Sequence, residues 1–174
     1  MSSPPAPPVP GSYWAEPALV LAGPWPGAGE RGEQRDRVRA LLDAGIRAVL
    51  DLRTPAEPPP VRQLLERLAG AEDVTWMGIP IANGAAPSDG TMSTILDVID
   101  AHLARERPLY VHCQGGLGRT GTVVACWWIR HGRYDAEGAV AELRRRRREV
   151  AGGTARAPET DAQLARVRGW RPGR

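Results

Sequence analysis

Lysine and phenylalanine are absent from this 174-residue sequence, and asparagine occurs once, at Asn83. All 23 basic residues are therefore arginine, a bias that reads as the composition of a GC-rich, bacterial genome and carries no functional signal. Cysteine is scarce. Cys113 and Cys126 cannot build a disulfide framework, and with only His102, His112 and His131 beside them a structural zinc site is not expected. Long apolar runs are missing as well: the longest is the seven-residue stretch Val123 to Ile129, against about 20 needed to cross a bilayer. No charged segment followed by an apolar one opens the chain, so no secretory leader is expected, and the setting expected is cytoplasmic. Net charge is only +3, from 23 basic and 20 acidic residues. An apolar share of 42% with 25% charged residues excludes a disordered chain and a collagen-like fibre.

The length fits one domain. Residues 1–12 hold five prolines among small residues and are expected to form a mobile extension. Residues 13–170 form the domain, and residues 171–174 a frayed tail. Between the tails, short apolar runs alternate with helical patterns. Strands are expected over 18–22, 46–52, 74–79 and 109–112. Helices are expected over 32–44, 58–68, 91–105, 119–130, 136–148 and 158–167. This alternation predicts an α/β fold: a central, mostly parallel sheet of four or five strands flanked by helices. No internal repeat is present, and nothing signals an oligomeric state.

The stretch that carries chemistry is Leu109-Tyr-Val-His-Cys-Gln-Gly-Gly-Leu-Gly-Arg-Thr-Gly121. A short strand runs into a loop at Cys113, and a helix follows near Arg119. Gly115, Gly116 and Gly118 let the backbone turn tightly and approach an anion. The amides of Gln114, Gly115, Gly116, Leu117 and Gly118 then form a nest for phosphate, and the helix N-terminus adds free donors. Arg119 supplies a planar fork for two phosphate oxygens. A free thiol titrates near ~8.5, and helix N-termini and cations lower that to roughly 3.5–7.5; one cup would thus activate Cys113 and hold its target. The Thr120 hydroxyl could hydrogen-bond the sulfur and stabilise it as it leaves.

This His-Cys-x5-Arg-Thr pattern resembles the protein tyrosine phosphatase superfamily, in its cysteine-dependent dual-specificity branch. It is especially similar to bacterial members and to the kinase-associated phosphatases. Further segments resemble the same family: Tyr13-Trp-Ala-Glu-Pro, Leu21-Ala-Gly-Pro-Trp-Pro-Gly, Val49 to Glu57, Pro80-Ile-Ala-Asn-Gly84 and Glu159-Thr-Asp-Ala-Gln163. The resemblance implies hydrolysis of phosphomonoesters through a phosphocysteine. Cys113 is then the nucleophile, Arg119 the phosphate clamp and Thr120 the hydroxyl that assists breakdown. His112 orients the loop, and Gln163 either positions the hydrolytic water or is a helix-surface amide. No metal or cofactor is implied. The implied partner is a phosphorylated protein or another phosphomonoester. The loop lacks the basic residues that an inositol-phosphate or lipid phosphatase would favour, although that reading stays open.

One position departs from the pattern. The family places an aspartate about thirty residues before the cysteine as general acid, and here Asn83 fills the slot. An amide cannot transfer a proton at neutral pH, and such transfer is typically worth about 10²–10⁴-fold. Four readings follow. Asp89 replaces the acid; the enzyme acts slowly on good leaving groups; Asn83 is a modified or engineered aspartate; or the protein is a phosphate-binding module without turnover.

Three other features have bland readings. Cys126 sits beside Trp127 and Trp128 as a packed core thiol, with a redox bridge to Cys113 as the sharper alternative. Arg144 to Arg148 reads as a solvated helix face, because consecutive helical residues spread around the axis, and nucleic acid is not an expected partner. Asp51, Arg53 and Glu57 read as a charged cluster that supports the loop.

Overall fold

Each short strand alternates between two cores, and that alternation sets the layers. The computed structural model describes residues 6–70, 73–150 and 156–174. Among them five strands form one sheet: β1 (Tyr13–Glu16), β2 (Val20–Gly23), β3 (Ala48–Asp51), β4 (Thr75–Gly78) and β5 (Leu109–His112). Their order is β1-β2-β5-β3-β4, with β1 antiparallel to β2 and the other neighbours parallel. Leu109 and Val111 of β5 face one core and Tyr110 the other; Ala48 and Leu50 of β3 oppose Val49 in the same way. Residues i and i+2 share a face, so a strand buried on both faces reads as one unbroken apolar run.

Helices cover both faces. Val38, Leu41 and Leu42 of α1 (Arg31–Asp43) and Leu65 of α2 (Arg62–Ala69) pack under Val49 and Tyr110. The other face carries α3 (Asp89–Leu103), α4 (Gly118–Arg130), α5 (Ala136–Glu149) and α6 (Asp161–Gly169). Helix α4 is buried from Gly118 to Ile129, as befits a helix that is apolar on every side. Its indoles keep their donors satisfied: Trp127 Nε1 donates to Asp100 Oδ1 at 2.8 Å and Trp128 Nε1 to the Ala15 carbonyl at 3.2 Å.

The structure corrects several sequence expectations. The first strand expected over 18–22 is a hairpin, in which Leu19 N–H donates to the Glu16 carbonyl and Ala18 takes a φ of 59°. Helix α2 starts at Arg62 rather than Pro58, because each of Pro58, Pro59 and Pro60 pushes the residue before it out of the helical region. Helix α3 starts at Asp89, where Ser88 accepts from Thr91 N–H; Asp89 is therefore helical and not part of the preceding loop. The expected mobile extension is anchored by its last residues. Val9 is 2% exposed and packs with Trp14 and Leu21, and Ser12 Oγ donates to the Val9 carbonyl at 2.6 Å. The first five residues lie outside the described ones. The expected frayed tail is tied down: Gly173 N–H donates to the Arg130 carbonyl at 2.8 Å, and Arg174 pairs with Asp89.

Nor is the arginine run one solvated face. Arg145 pairs with Glu142 and Glu149, and Arg146 pairs with Glu142 and stacks 4.9 Å from the Trp128 ring. Arg144 donates to the Ala157 carbonyl, while Arg147 is buried and donates to the Gly11 carbonyl. Side chains spread around α5 thus fasten it to its neighbours. No described helix is long and apolar enough to cross a membrane.

Candidate active site

The parallel strands β2, β5, β3 and β4 all point the same way, and their C-terminal ends deliver four segments to one edge of the sheet. Ligands bind at this edge in open α/β sheets. From β5 the chain passes through His112 into the loop 113–117 and then into α4. Gly116 has a φ of 70°, and a Cβ there would stand 2.4–2.6 Å from the backbone of Gly23 and Pro24. Only glycine permits that approach. A bond from Trp25 N–H to the Gln114 carbonyl at 3.0 Å holds the same two segments together.

Among the described residues, the amides of Gly115, Gly116, Leu117 and Gly118 donate to no protein acceptor. No side chain caps α4 either. Uncapped first-turn amides carry the positive end of the helix dipole, so the loop offers a ready anion cradle. Cys113 opens it, 3% exposed.

Arg119 is 2% exposed. Glu57 grips it from both sides: Nη1 and Nη2 each donate to a Glu57 oxygen at 2.7 Å. Nη1 also donates to the Ile81 carbonyl at 3.1 Å. The Arg119 bond, joined by bonds from Thr54, pulls the Glu57 carboxyl down to about 2 against the opposing effect of burial. Planar bidentate pairing of this kind fixes orientation as well as charge. Glu57 belonged to the charged cluster read from the sequence, yet its direct contact with Arg119 was not legible there. The two residues are 62 apart, and only the adjacency of β3 and β5 brings them together. Asp51 and Arg53 pair with each other instead, at 2.8 Å.

His112 is fully buried, and that burial pushes its pKa down to about 4 despite Asp51 3.8 Å away. Its Nδ1 lies 3.2 Å from the Cys113 carbonyl. A neutral ring bonded to loop backbone can orient that loop and is poorly suited to act as a base. Thr120 Oγ1 is buried and without a protein partner, a hydroxyl free for another acceptor. Gln163 is not a surface amide: it is fully buried. Its Oε1 accepts from Glu159 N–H and Thr160 N–H, and its Nε2 donates to the Ala85 carbonyl at 3.3 Å. The side chain is spent on capping α6 and holding the loop after β4.

That loop carries Asn83. The residue is exposed in a turn closed by Ala85 N–H on the Ala82 carbonyl, and its side chain makes no hydrogen bond among the described residues. Asp89 is engaged elsewhere, one oxygen accepting from Arg166 and the other from Arg174. Cys126 is buried in α4, where desolvation raises its thiol pKa. No group of three or more metal-binding side chains occurs among the described residues.

The family described as a polymorphic toxin system DSP-PTPase phosphatase matches residues 27–133, a span that includes Glu57, the cradle, Arg119 and all of α4. The chain belongs to this phosphatase family. Among relatives of the DSP-PTPase chain, human dual specificity protein phosphatase CDC14C is 38% identical over 63 residues, or 36% of this chain and 13% of that protein. Mouse protein tyrosine phosphatase domain-containing protein 1 is 28% identical over 144 residues, 78% of this chain and 19% of that protein. The chain thus spans a fifth or less of the length of these relatives. Solved structures share the DSP-PTPase fold. Tk-PTP in the active form matches with a TM-score of 0.69 at 24% identity, over 91% of this chain and 94% of its own. P. aeruginosa TpbA in complex with pTyr matches at 0.68 and 20%, over 94% and 86%. PTPMT1 in complex with PI(5)P matches at 0.67 and 16%, over 91% and 92%.

Proposed function

We propose that this chain hydrolyses phosphomonoesters, with phosphotyrosine-bearing protein as the substrate class, through a phosphocysteine on Cys113. The carrying observation is the pairing of a loop whose amides donate to no described protein acceptor with an Arg119 already locked by Glu57. Donors fixed before the substrate arrives stabilise the transition state without reorganising during it. The phosphate sits in the cradle, two of its oxygens facing Arg119. Cys113 Sγ attacks phosphorus, the S–P bond forms and the ester P–O bond breaks. Water then attacks phosphorus, the S–P bond breaks, and Thr120 Oγ1 donates to the departing sulfur. His112, neutral and buried, keeps the Cys113 carbonyl in place. Two unpaired cysteines fit a reducing, cytoplasmic setting, and the all-arginine composition fits a bacterial source.

TpbA bound to pTyr and PTPMT1 bound to PI(5)P bracket the substrate choice. The absence of basic residues between Cys113 and Arg119 favours the protein substrate over the inositol lipid. Turnover of p-nitrophenyl phosphate and of a phosphotyrosine peptide, lost in Cys113→Ser, is the expected result. Equal rates in the two proteins would sink the reading. Asn83 favours a second reading, capture of phosphate without turnover; vanadate-sensitive peptide binding with no release of phosphate would select it.

A further inference from the structure

We propose that Glu159 is the general acid and base of this site, taking the role that Asn83 cannot perform. The inference rests on the reading of Cys113 as nucleophile and says where the missing proton comes from.

Three observations place Glu159 beside the vacated slot. Thr160, the next residue, donates from Oγ1 to the Gly84 carbonyl at 2.9 Å. Gln163 ties Ala85 to the same helix start. The N-terminus of α6 is thus bonded to the two residues that follow Asn83. The third observation is on the cradle itself: a Cβ on Gly118 would stand 2.5 Å from Glu159 Oε2. The Glu159 carboxylate therefore lies against Gly118, the last cradle residue before Arg119, on the side where α6 docks and is bonded to the loop after β4.

The alternatives are engaged or unsuited. Asp89 offers both oxygens to Arg166 and Arg174, and both Glu57 oxygens accept from Arg119. Glu159 alone of these carboxylates makes no side-chain hydrogen bond or ion pair among the described residues, and it is exposed at the rim. In its protonated form this carboxyl carries the proton that the leaving oxygen needs. As the S–P bond forms and the ester bond breaks, Glu159 gives its proton to the departing oxygen. The resulting carboxylate then takes a proton from the water that attacks phosphocysteine, which restores the acid and releases inorganic phosphate.

Glu159→Gln keeps the shape and removes the proton. Its kcat/KM should fall by about 10²-fold or more on phenyl phosphate and phosphotyrosine peptide, whose leaving groups need protonation, and by less than about tenfold on p-nitrophenyl phosphate. The decline of wild-type kcat/KM at high pH that marks an ionising acid should be missing from the variant. Restoring a carboxylate at the vacated slot, in Asn83→Asp/Glu159→Gln, should recover the rate on the poor leaving groups. Thermal melting confirms that each variant folds. Identical leaving-group dependence and pH profile in wild type and Glu159→Gln, with wild type active, would overturn the assignment of Glu159 alone. A wild type inactive on all three substrates would overturn it together with the role of Cys113.

Discussion

Arg119 and Glu57 form the most consequential pair of residues. Removing one partner of a buried pair strands the other charge, at a typical cost of about 3–5 kcal/mol. Glu57→Gln keeps the volume and should lower stability by about 3 kcal/mol in urea titration. It should also lower kcat/KM at least tenfold, because the guanidinium loses its fixed orientation. Two groups make the fold acid-labile. His112 has its pKa pushed down to about 4 by burial, against ~6.5 in an unfolded chain. The stability linked to it is complete above that unfolded value. It is lost as pH falls towards 4, because the unfolded state binds the proton first; the loss is about 3 kcal/mol. Glu57, held at about 2 by Arg119, adds a second loss between its unfolded pKa near ~4.3 and 2. Urea midpoints from pH 7 to 4.5 should fall steeply in the wild type and much less in His112→Gln.

Among elements, the junction of β5, loop and α4 is the least tolerant. Gly116→Ala would place a methyl against the backbone of Gly23 and Pro24, in a left-handed conformation. The loop must open or β2 must shift, so vanadate affinity should drop at least tenfold with little change in helix content by circular dichroism. This junction was legible in the sequence, because glycine spacing, strand and helix are all local features. Helices α1, α3, α4 and α5 were legible for the same reason. Strand β1 was not: four residues hidden in a hairpin give too short an alternation, and Tyr13, Trp14 and Ala15 are buried, leaving little polar contrast to read. The limits of α2 and α6 depended on proline conformation and on the Thr160 cap. The bond of Glu57 to Arg119 and the approach of Glu159 to Gly118 could not be read, since they depend on strand order and on the docking of α6.

At the scale of the molecule, the segments 9–12 and 171–174 are both fastened to the domain. Val9 closes the core under α1, and the tail reaches Asp89 and Arg130. Deleting residues 171–174 removes the exposed Arg174–Asp89 ion pair, the contact of Arg174 with the Trp170 ring, the Gly173 and Arg174 backbone bonds to Arg130, and the Arg171 side-chain bonds to the carbonyls of Arg168 and Trp170. A loss of about 1 kcal/mol is expected, read as a small drop in melting temperature with turnover unchanged. Asp89→Asn should behave likewise if its carboxylate only holds Arg166 and Arg174. A hundredfold loss of turnover on phosphotyrosine peptide would instead return Asp89 to the acid role.

The contact between Trp25 and the anion loop has an optical consequence. The Trp25 amide is bonded to Gln114, and the Arg53 guanidinium lies 4.7 Å from the indole ring. An oxyanion held in the loop adds negative charge beside the segment that carries this cation and chromophore. Emission should therefore change on titration with vanadate in the wild type and stay flat in Trp25→Leu, giving the protein a built-in gauge of occupancy.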